Sequence, residues 1–310
     1  MSFVKSFPRL SRCSAAPTEQ IGKALTGNDR GWALVSVLWA LVILSILAAA
    51  TEALTVTTYR AETRVSDRSR LSAAIDAGIA RAILGLKDGR NSKRWRVDGT
   101  VYHFSLDGTD MAIAVQDEIG RIDLNAADGS LIRQLLEVMG LSLDAANTLT
   151  DRIVDWRSSS GLTSLHGATD ADYQAAGYFY HPRHGEFQSV DELKLVMGMT
   201  PGLFKRLQPN LTVYSRHPTV DTNIAPETVL KAYYFNQDQQ IQAILDRRQA
   251  GPIASDLATP IGTLQPAIST AGRNFSIDLV AQRNGVRMTR HAVIMLTDDD
   301  KRPYLLLAWQ

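Results

Sequence analysis

From Gly31 to Thr51 the chain runs for 21 residues without a charge. The 19 residues Trp32 to Ala50 would make a helical rod of roughly 28 Å, close to the ~30 Å hydrocarbon thickness of a bilayer. Beyond it, apolar or small residues recur at Leu54, Thr58, Ala61 and Val65, then at Ile75, Ile79, Ala82 and Leu86. That three-and-four spacing marks one buried helix face. Arg60, Glu62, Arg64, Asp67, Arg68 and Arg70 supply a wet face. No proline occurs between Pro17 and Pro182, and no glycine between Gly31 and Gly78. The pattern therefore predicts one unbroken helix of about 50 residues, half in lipid and half packed on a soluble head.

The period then changes from helical to alternating. Residues 94–117 predict two strands about the turn Asp107-Gly108. Near the C-terminus, Asn274–Gln282 and Val286–Leu296 flank Asn284-Gly285, a strong hairpin signal. A last strand, Tyr304 to Trp309, follows the acidic run Asp298-Asp299-Asp300. A long helix with an antiparallel sheet makes an α+β head.

Between these strands lies a helical block with an internal echo. Leu135–Leu141 and Leu193–Met199 repeat one pattern 58 residues apart, with glycine at Gly140 and Gly198. Each predicts a helix closed by a glycine and followed by a second helix, Leu143–Trp156 and Pro201–Leu207. Asn125 and Ser189 are expected N-caps, the latter with Glu192 in a capping box. The expected organisation is a leader at 1–31, a membrane helix at 32–51, and an amphipathic helix with the first strands at 52–117. A helical insert with two hairpin-like repeats follows at 118–210, and the rest of the α+β domain at 211–310.

Charge sets orientation and excludes some partners. Residues 1–30 carry Lys5, Arg9, Arg12, Lys23 and Arg30 against Glu19 and Asp29, a balance of 5 − 2 = +3. Positive charge before an apolar span keeps that side in the cytoplasm, so the bulk of the chain is expected in the periplasm. The whole chain has 33 basic and 32 acidic residues, so no global field points to nucleic acid. The single cysteine, Cys13, precedes the span and leaves the head without disulfides. Helix-glycine-helix hairpins can present backbone amides to phosphate, which supports a rival reading: a signal-anchored periplasmic protein whose hairpins bind DNA or a protein ligand. Residues 118–208, however, hold 12 acids and 8 bases, net −4, and would repel a phosphate backbone. No nucleic-acid partner is expected.

Three readings fit the apolar run itself: a cleaved signal with its exit at Ala48–Ala50, a plain signal anchor, or the membrane half of a longer helix. Glycine, an aromatic residue, a long apolar helix and an amphipathic extension together resemble the type IV pilin-like N-terminus. The resemblance implies cleavage by a prepilin peptidase between Gly31 and Trp32, with methylation of the new Trp32 amine. One departure stands out. Most pilin-like subunits carry glutamate five residues into the mature chain, and here that place holds Ser36. A carboxylate in lipid costs on the order of 2.5–3.5 kcal/mol and is kept only where it finds a cation. In pilin-like filaments that cation is taken to be a neighbour's terminal amine, so a subunit without the acid suits a filament end.

The downstream motifs narrow the resemblance. Gly120-Arg-Ile-Asp-Leu-Asn-Ala-Ala127, Ile153-Val-Asp-Trp-Arg157, Gly167-Ala168, Phe187-Gln-Ser-Val-Asp-Glu-Leu193, Leu207-Gln-Pro-Asn-Leu-Thr-Val213 and Asp221-Thr-Asn-Ile-Ala225 occur in order. The chain from Gly31 onward resembles the protein K family of the type II (general) secretion pathway, the large minor pseudopilins, which also lack the fifth-position glutamate. The resemblance implies a pilin-like α+β domain with a large helical domain inserted in its sheet. The implied role is to start or cap a pseudopilus at the inner membrane during protein export. Implied partners are the minor pseudopilins I and J, the prepilin peptidase and the inner-membrane assembly platform.

Other candidate chemistry is thin. The family's carboxylate-rich loop is weakened here, because Asp155-Trp156 continues as Arg157-Ser158-Ser159-Ser160 and Thr169 stands where an acid is common. Calcium needs six to eight oxygens, several charged. Asp155, Asp170 and Asp172 are the acids that remain, and a metal-free capped loop is the preferred expectation. His181 and His184 sit three apart, but Pro182 bars a helix that would set both on one face, and only Glu186 stands nearby as a third donor. No nucleophile elbow, His-Glu-x-x-His pair or phosphate loop occurs, and the serines at 158–160 have no base placed beside them. An enzyme is not expected, nor a cofactor.

Overall fold

The computed structural model describes residues 29–88, 95–250 and 272–310. The leader charges Lys5, Arg9, Arg12, Glu19 and Lys23, like Cys13, lie outside them. The chain divides into two compact units, the second beginning at Thr63.

Helix α1 runs from Asp29 to Lys87, as its lack of breakers predicts. In the second unit, Leu71, Ala74, Ile75, Ile79, Ala82, Ile83 and Leu86 form its buried stripe. The expected stripe is confirmed from Ile75 onward, but Val65 is 65% exposed. The reason is the reach of the sheet. The tip of its last long hairpin meets α1 at Asp67, where Asn284 Nδ2 donates to the carboxylate and Arg283 pairs with it at 3.4 Å. The side chains of Leu54, Thr58 and Ala61 fall outside the described set.

The sheet comprises β1 (Asp98–Leu106), β2 (Thr109–Asp117), β5 (Asn274–Arg283), β6 (Val286–Leu296) and β7 (Tyr304–Trp309), in that spatial order and antiparallel throughout. Both hairpin turns place their central residues at positive φ, Asp107-Gly108 at 48° and 69° and Asn284-Gly285 at 48° and 77°. That geometry matches the right-handed twist of the flanking strands. Met111, Ile113 and Val115 from β2, Phe275, Ile277, Leu279 and Ala281 from β5, and Ala292, Ile294 and Leu296 from β6 pack against the α1 stripe.

The helical block enters and leaves between neighbouring strands. β2 pairs with β5 from Asp110↔Gln282 to Asp117↔Phe275, so the insert departs after Asp117 and returns just before Phe275 at the same end. Polar ties secure this joint: Asp117 pairs with Arg273 at 2.5 Å, Gln116 Nε2 donates to the Ile224 carbonyl at 3.0 Å, and Asn274 Nδ2 donates to Tyr214 O at 2.6 Å. The α+β architecture with an inserted helical domain is as expected.

The insert consists of α2 (Gly129–Val138), α3 (Leu143–Arg157), α4 (Asp170–Ala175), α5 (Pro201–Leu207), α6 (Glu227–Tyr233) and α7 (Asp238–Ala250). It also holds a pairing the alternating pattern was too short to reveal, a parallel two-residue ladder of β3 (Ile122–Asp123) with β4 (Leu211–Thr212). Its core includes Leu135, Leu136, Ile153, Trp156, Tyr173 and Leu193, and continues through Val229, Leu230, Ala232 and Ile241, past residue 210 where the sequence pattern put the end of the insert.

The echo holds in its first copy and changes in its second. Gly140, at φ 91°, closes α2 as a Schellman turn: its N–H donates to Glu137 O, and Leu141 N–H donates to Leu136 O. The second copy is a 3₁₀ helix, Val190–Leu195, ending before Gly198. Two expected caps are corrected. The N-cap of α2 is Asp128, whose side chain accepts from Ser130 N–H, and Asn125 is engaged elsewhere. Ser189 makes no side-chain cap, and the segment it precedes is a 3₁₀ helix rather than an α-helix.

Candidate functional site

The apolar segment Trp32–Ala50 is long and apolar enough to cross a membrane, and it is unburied throughout. Trp32 is 81% exposed, and Leu34, Trp39 and Leu44 are similarly bare. A surface of that extent is unstable in water and requires lipid or a partner helix. The Gly31–Trp32 bond lies inside α1, near its start. Ser36 Oγ donates to Ala33 O at 2.9 Å, and Ser45 Oγ to Leu41 O at 2.8 Å. Each hydroxyl is thus satisfied within its own turn. Ser36 needs nothing from a neighbour.

In the insert, the three leftover acids go to three different partners. Asp155 is buried at the end of α3, and both its oxygens accept from Ser164 N–H at 3.1 Å while Ser164 Oγ donates at 2.6 Å. Asp172 completes the capping box of α4, accepting from Thr169 N–H and Oγ1 at 2.7 Å each. Those hydrogen bonds hold its carboxyl below the usual carboxylate range. Asp170 Oδ1 lies 2.9 Å from His184 Nε2.

That last contact brings together a group the sequence did not assemble. Pro182 does exclude a helix, but His184 takes a left-handed conformation (φ 52°) that folds the loop back on itself. The His181 and His184 rings stack at 6.3 Å. Asp170, from the start of α4, supplies the acid expected of Glu186. Its oxygen and one nitrogen from each ring lie within 4.8 Å of one another, the one such trio among the described residues. A separation of 14 residues across two elements hid this grouping. The Asp298–Asp300 run behaves as expected of a turn, with Asp299 Oδ1 accepting from Lys301 N–H. The serine triplet is spent on its own loop: Ser158 and Ser160 hydroxyls bond each other at 2.8 Å, and Ser160 Oγ accepts from Leu162 N–H.

Sequence reasoning also missed a cleft of about 320 Å³ where sheet and insert meet, lined by Glu118, Arg121, Thr212, Asp278, His291 and Gln310. It is internally neutralised. Arg121 pairs with Glu118 at 3.1 Å, and His291 with Asp278 at 2.7 Å. Burial pushes Asp278 up, but the hydrogen bond and charge of His291 outweigh it and leave the carboxyl below its usual range.

Residues 113–216, the last strand before the insert and most of the insert's core, match the family described as Type II secretion system (T2SS), protein K. The type II secretion system protein K of Pectobacterium carotovorum is 23% identical over 272 residues, covering 78% of this chain and 82% of that protein. The Aeromonas hydrophila protein of the same name is 25% identical over 71% of each chain. The Pseudomonas aeruginosa one is 25% identical over 152 residues, less than half of either chain, 46% and 45%. A crystal structure of the GspK-GspI-GspJ complex from the enterotoxigenic Escherichia coli type 2 secretion system shares the fold. Its TM-score is 0.57 at 15% identity, over 79% of this chain and 96% of that one. The chain is thus similar to type II secretion system protein K, through the family match at residues 113–216 and through relatives of that name along up to 78% of its length.

Proposed function

We propose that the protein is a minor pseudopilin placed at the tip of the type II secretion pseudopilus, where it starts or caps assembly for export across the outer membrane. It acts as a structural subunit and not as an enzyme. It spans the inner membrane once, with its N-terminus cytoplasmic and its head periplasmic. The observation that carries the tip assignment is Ser36, whose hydroxyl is closed on Ala33 O within the apolar helix. A subunit lower in the filament needs a buried acid to meet the amine of the next one, and this helix offers none. The insert adds bulk on one end of the sheet, which favours a terminal place. Small residues at Ala40, Ser45 and Ala48–Ala50 allow close approach of partner helices in lipid.

By analogy with the solved complex, its partners are the minor pseudopilins I and J. Prepilin peptidase is the processing enzyme, and the inner-membrane platform is the base of assembly. N-terminal sequencing of membrane-extracted protein tests the assignment. A start at Trp32 supports it, whereas a start at Thr51 or an intact Met1 overturns it in favour of a cleaved signal or a plain anchor. Writing Glu for Ser36 should alter partner pull-down and secretion while leaving the head folded. Unchanged secretion and pull-down would sink the capping role.

A further inference from the structure

We infer that Asp170, His181 and His184 form a binding site for a borderline transition-metal dication, zinc first among them. The inference stands independently of the assembly role, because it rests on side-chain geometry in the loop after α4.

The donor chemistry comes first. His181 Nδ1 lies 2.8 Å from the Pro182 carbonyl, which can only accept. Nδ1 therefore carries the proton, and the lone pair sits on Nε2, the usual arrangement for an imidazole ligand held by an outer hydrogen bond. His184 Nε2 and Asp170 Oδ1 are 2.9 Å apart. Two donors bonded to one zinc at about 2.0–2.1 Å, at roughly 90–110° to each other, lie about 2.9–3.4 Å apart. The existing contact thus has the spacing of adjacent ligands, and the ion would take the place of the shared proton, which leaves to solvent. One nitrogen of the His181 ring lies within 4.8 Å of both, and a small shift of its loop closes the set.

Electrostatics and access agree. The side chains of His184 and Asp170 are 43% and 61% exposed, so an ion reaches them from solvent. Arg183, the one cation within this turn, is turned onto Glu192 in a two-pronged pair at 2.8 Å for each bond, so its charge is neutralised. Two imidazoles and one carboxylate suit zinc, nickel or copper and not calcium or magnesium, which demand oxygen. Three protein donors leave a fourth position for water. The bound ion would tie the start of α4 to the loop carrying Phe179, a fully exposed aromatic, and stiffen that end of the insert.

The test uses the full chain in detergent micelles, titrated with zinc against a chromophoric chelator in excess calcium. We expect one zinc per chain. Affinity should fall at least ~10-fold in each of His181→Ala, His184→Ala and Asp170→Asn. His166→Ala, which removes a separate histidine paired with Asp151, should leave it unchanged. Lack of stoichiometric uptake, or uptake indifferent to the first two variants, overturns the site. A second measurement needs no variant: zinc should protect His181 and His184, but not His217, from diethyl pyrocarbonate in the unaltered protein. Equal modification of all three with and without zinc would equally overturn it.

Discussion

Asn125 and Phe187, 62 residues apart, exchange two hydrogen bonds: Phe187 N–H donates to Asn125 Oδ1 at 2.7 Å, and Asn125 Nδ2 donates to Phe187 O at 3.0 Å. One side-chain amide therefore takes the place of a strand neighbour. Phe187 is fixed in this way for its ring to stack on buried Trp156, with centroids 6.0 Å apart. Asn125→Ala should leave both backbone groups of Phe187 unpaired in a half-buried setting and cost about 1–3 kcal/mol. Asn125→Asp should cost no less, since a carboxylate cannot donate to Phe187 O. Urea unfolding of the full chain in micelles, followed by near-ultraviolet dichroism, checks this, and an unchanged midpoint in Asn125→Ala would refute it.

Helix α1 seats on the sheet through glycines. A Cβ on Gly78 would stand 2.4 Å from Leu279 Cδ1 and 3.0 Å from Ile113 Cδ1, and one on Gly85 would stand 2.5 Å from the Trp95 ring. Alanine ordinarily favours a helix over glycine by roughly 0.5–1 kcal/mol. Overpacking should reverse that sign here, and Gly78→Ala and Gly85→Ala are each expected to lose about 1–3 kcal/mol. Thermal unfolding gives the reading. A raised midpoint would mean that the helix lifts freely off the sheet.

Gly167 holds the loop after α3 against the buried acid. A Cβ at this position would fall 1.7 Å from Asp155 Oδ2. Gly167→Ala should therefore expel Asp155 from its bonds to Ser164 and open the loop, with increased protease cleavage between residues 158 and 167. Cleavage no faster than in the unaltered chain would contradict this account of Asp155.

Asp117 supplies a pH signature. Burial raises its pKa from the ordinary 3.8 to about 6, against the pull of Arg273 and the Ile119 N–H bond. The folded state then binds a proton that the unfolded state lacks between about pH 6 and 4, so this residue's contribution to stability rises as pH falls through that window. Above pH 6 both states are ionised and the penalty is flat. Relative to Asp117→Asn, which removes the titration, the unaltered chain should gain up to about 2–3 kcal/mol on going from pH 6.5 to 4. The comparison also cancels losses from Asp98, Asp128 and Asp278, whose folded-state pKa values are depressed and whose contributions fade as pH drops. Parallel stability curves for the two proteins would exclude a raised Asp117.

The elements legible beforehand were those specified by neighbours in sequence. The unbroken α1, the turns at Asp107-Gly108 and Asn284-Gly285, strand β7 and helix α5 all follow from local period, breaker content and turn chemistry, and their bounds came out close to expectation. Ser36 belongs with them, since its hydroxyl closes on its own helix. Cap and core assignments that depend on the path of a distant segment were not readable. Asn125 looked like a helix cap until Phe187 claimed it, Val65 looked buried until the sheet ended at Asp67, and Ser189 led into a 3₁₀ turn.

The trio of Asp170, His181 and His184 shows the same division most sharply. The two histidines were visible in the sequence, together with the proline that forbids a helical site. Only the tertiary structure supplies the left-handed turn at His184 and the aspartate from the start of α4. Residue type and spacing determine what chemistry a chain can offer, because they act through bonds along the backbone. Which groups meet is decided by burial of the core around Trp156 and Tyr173, a collective effect that no single stretch of sequence encodes.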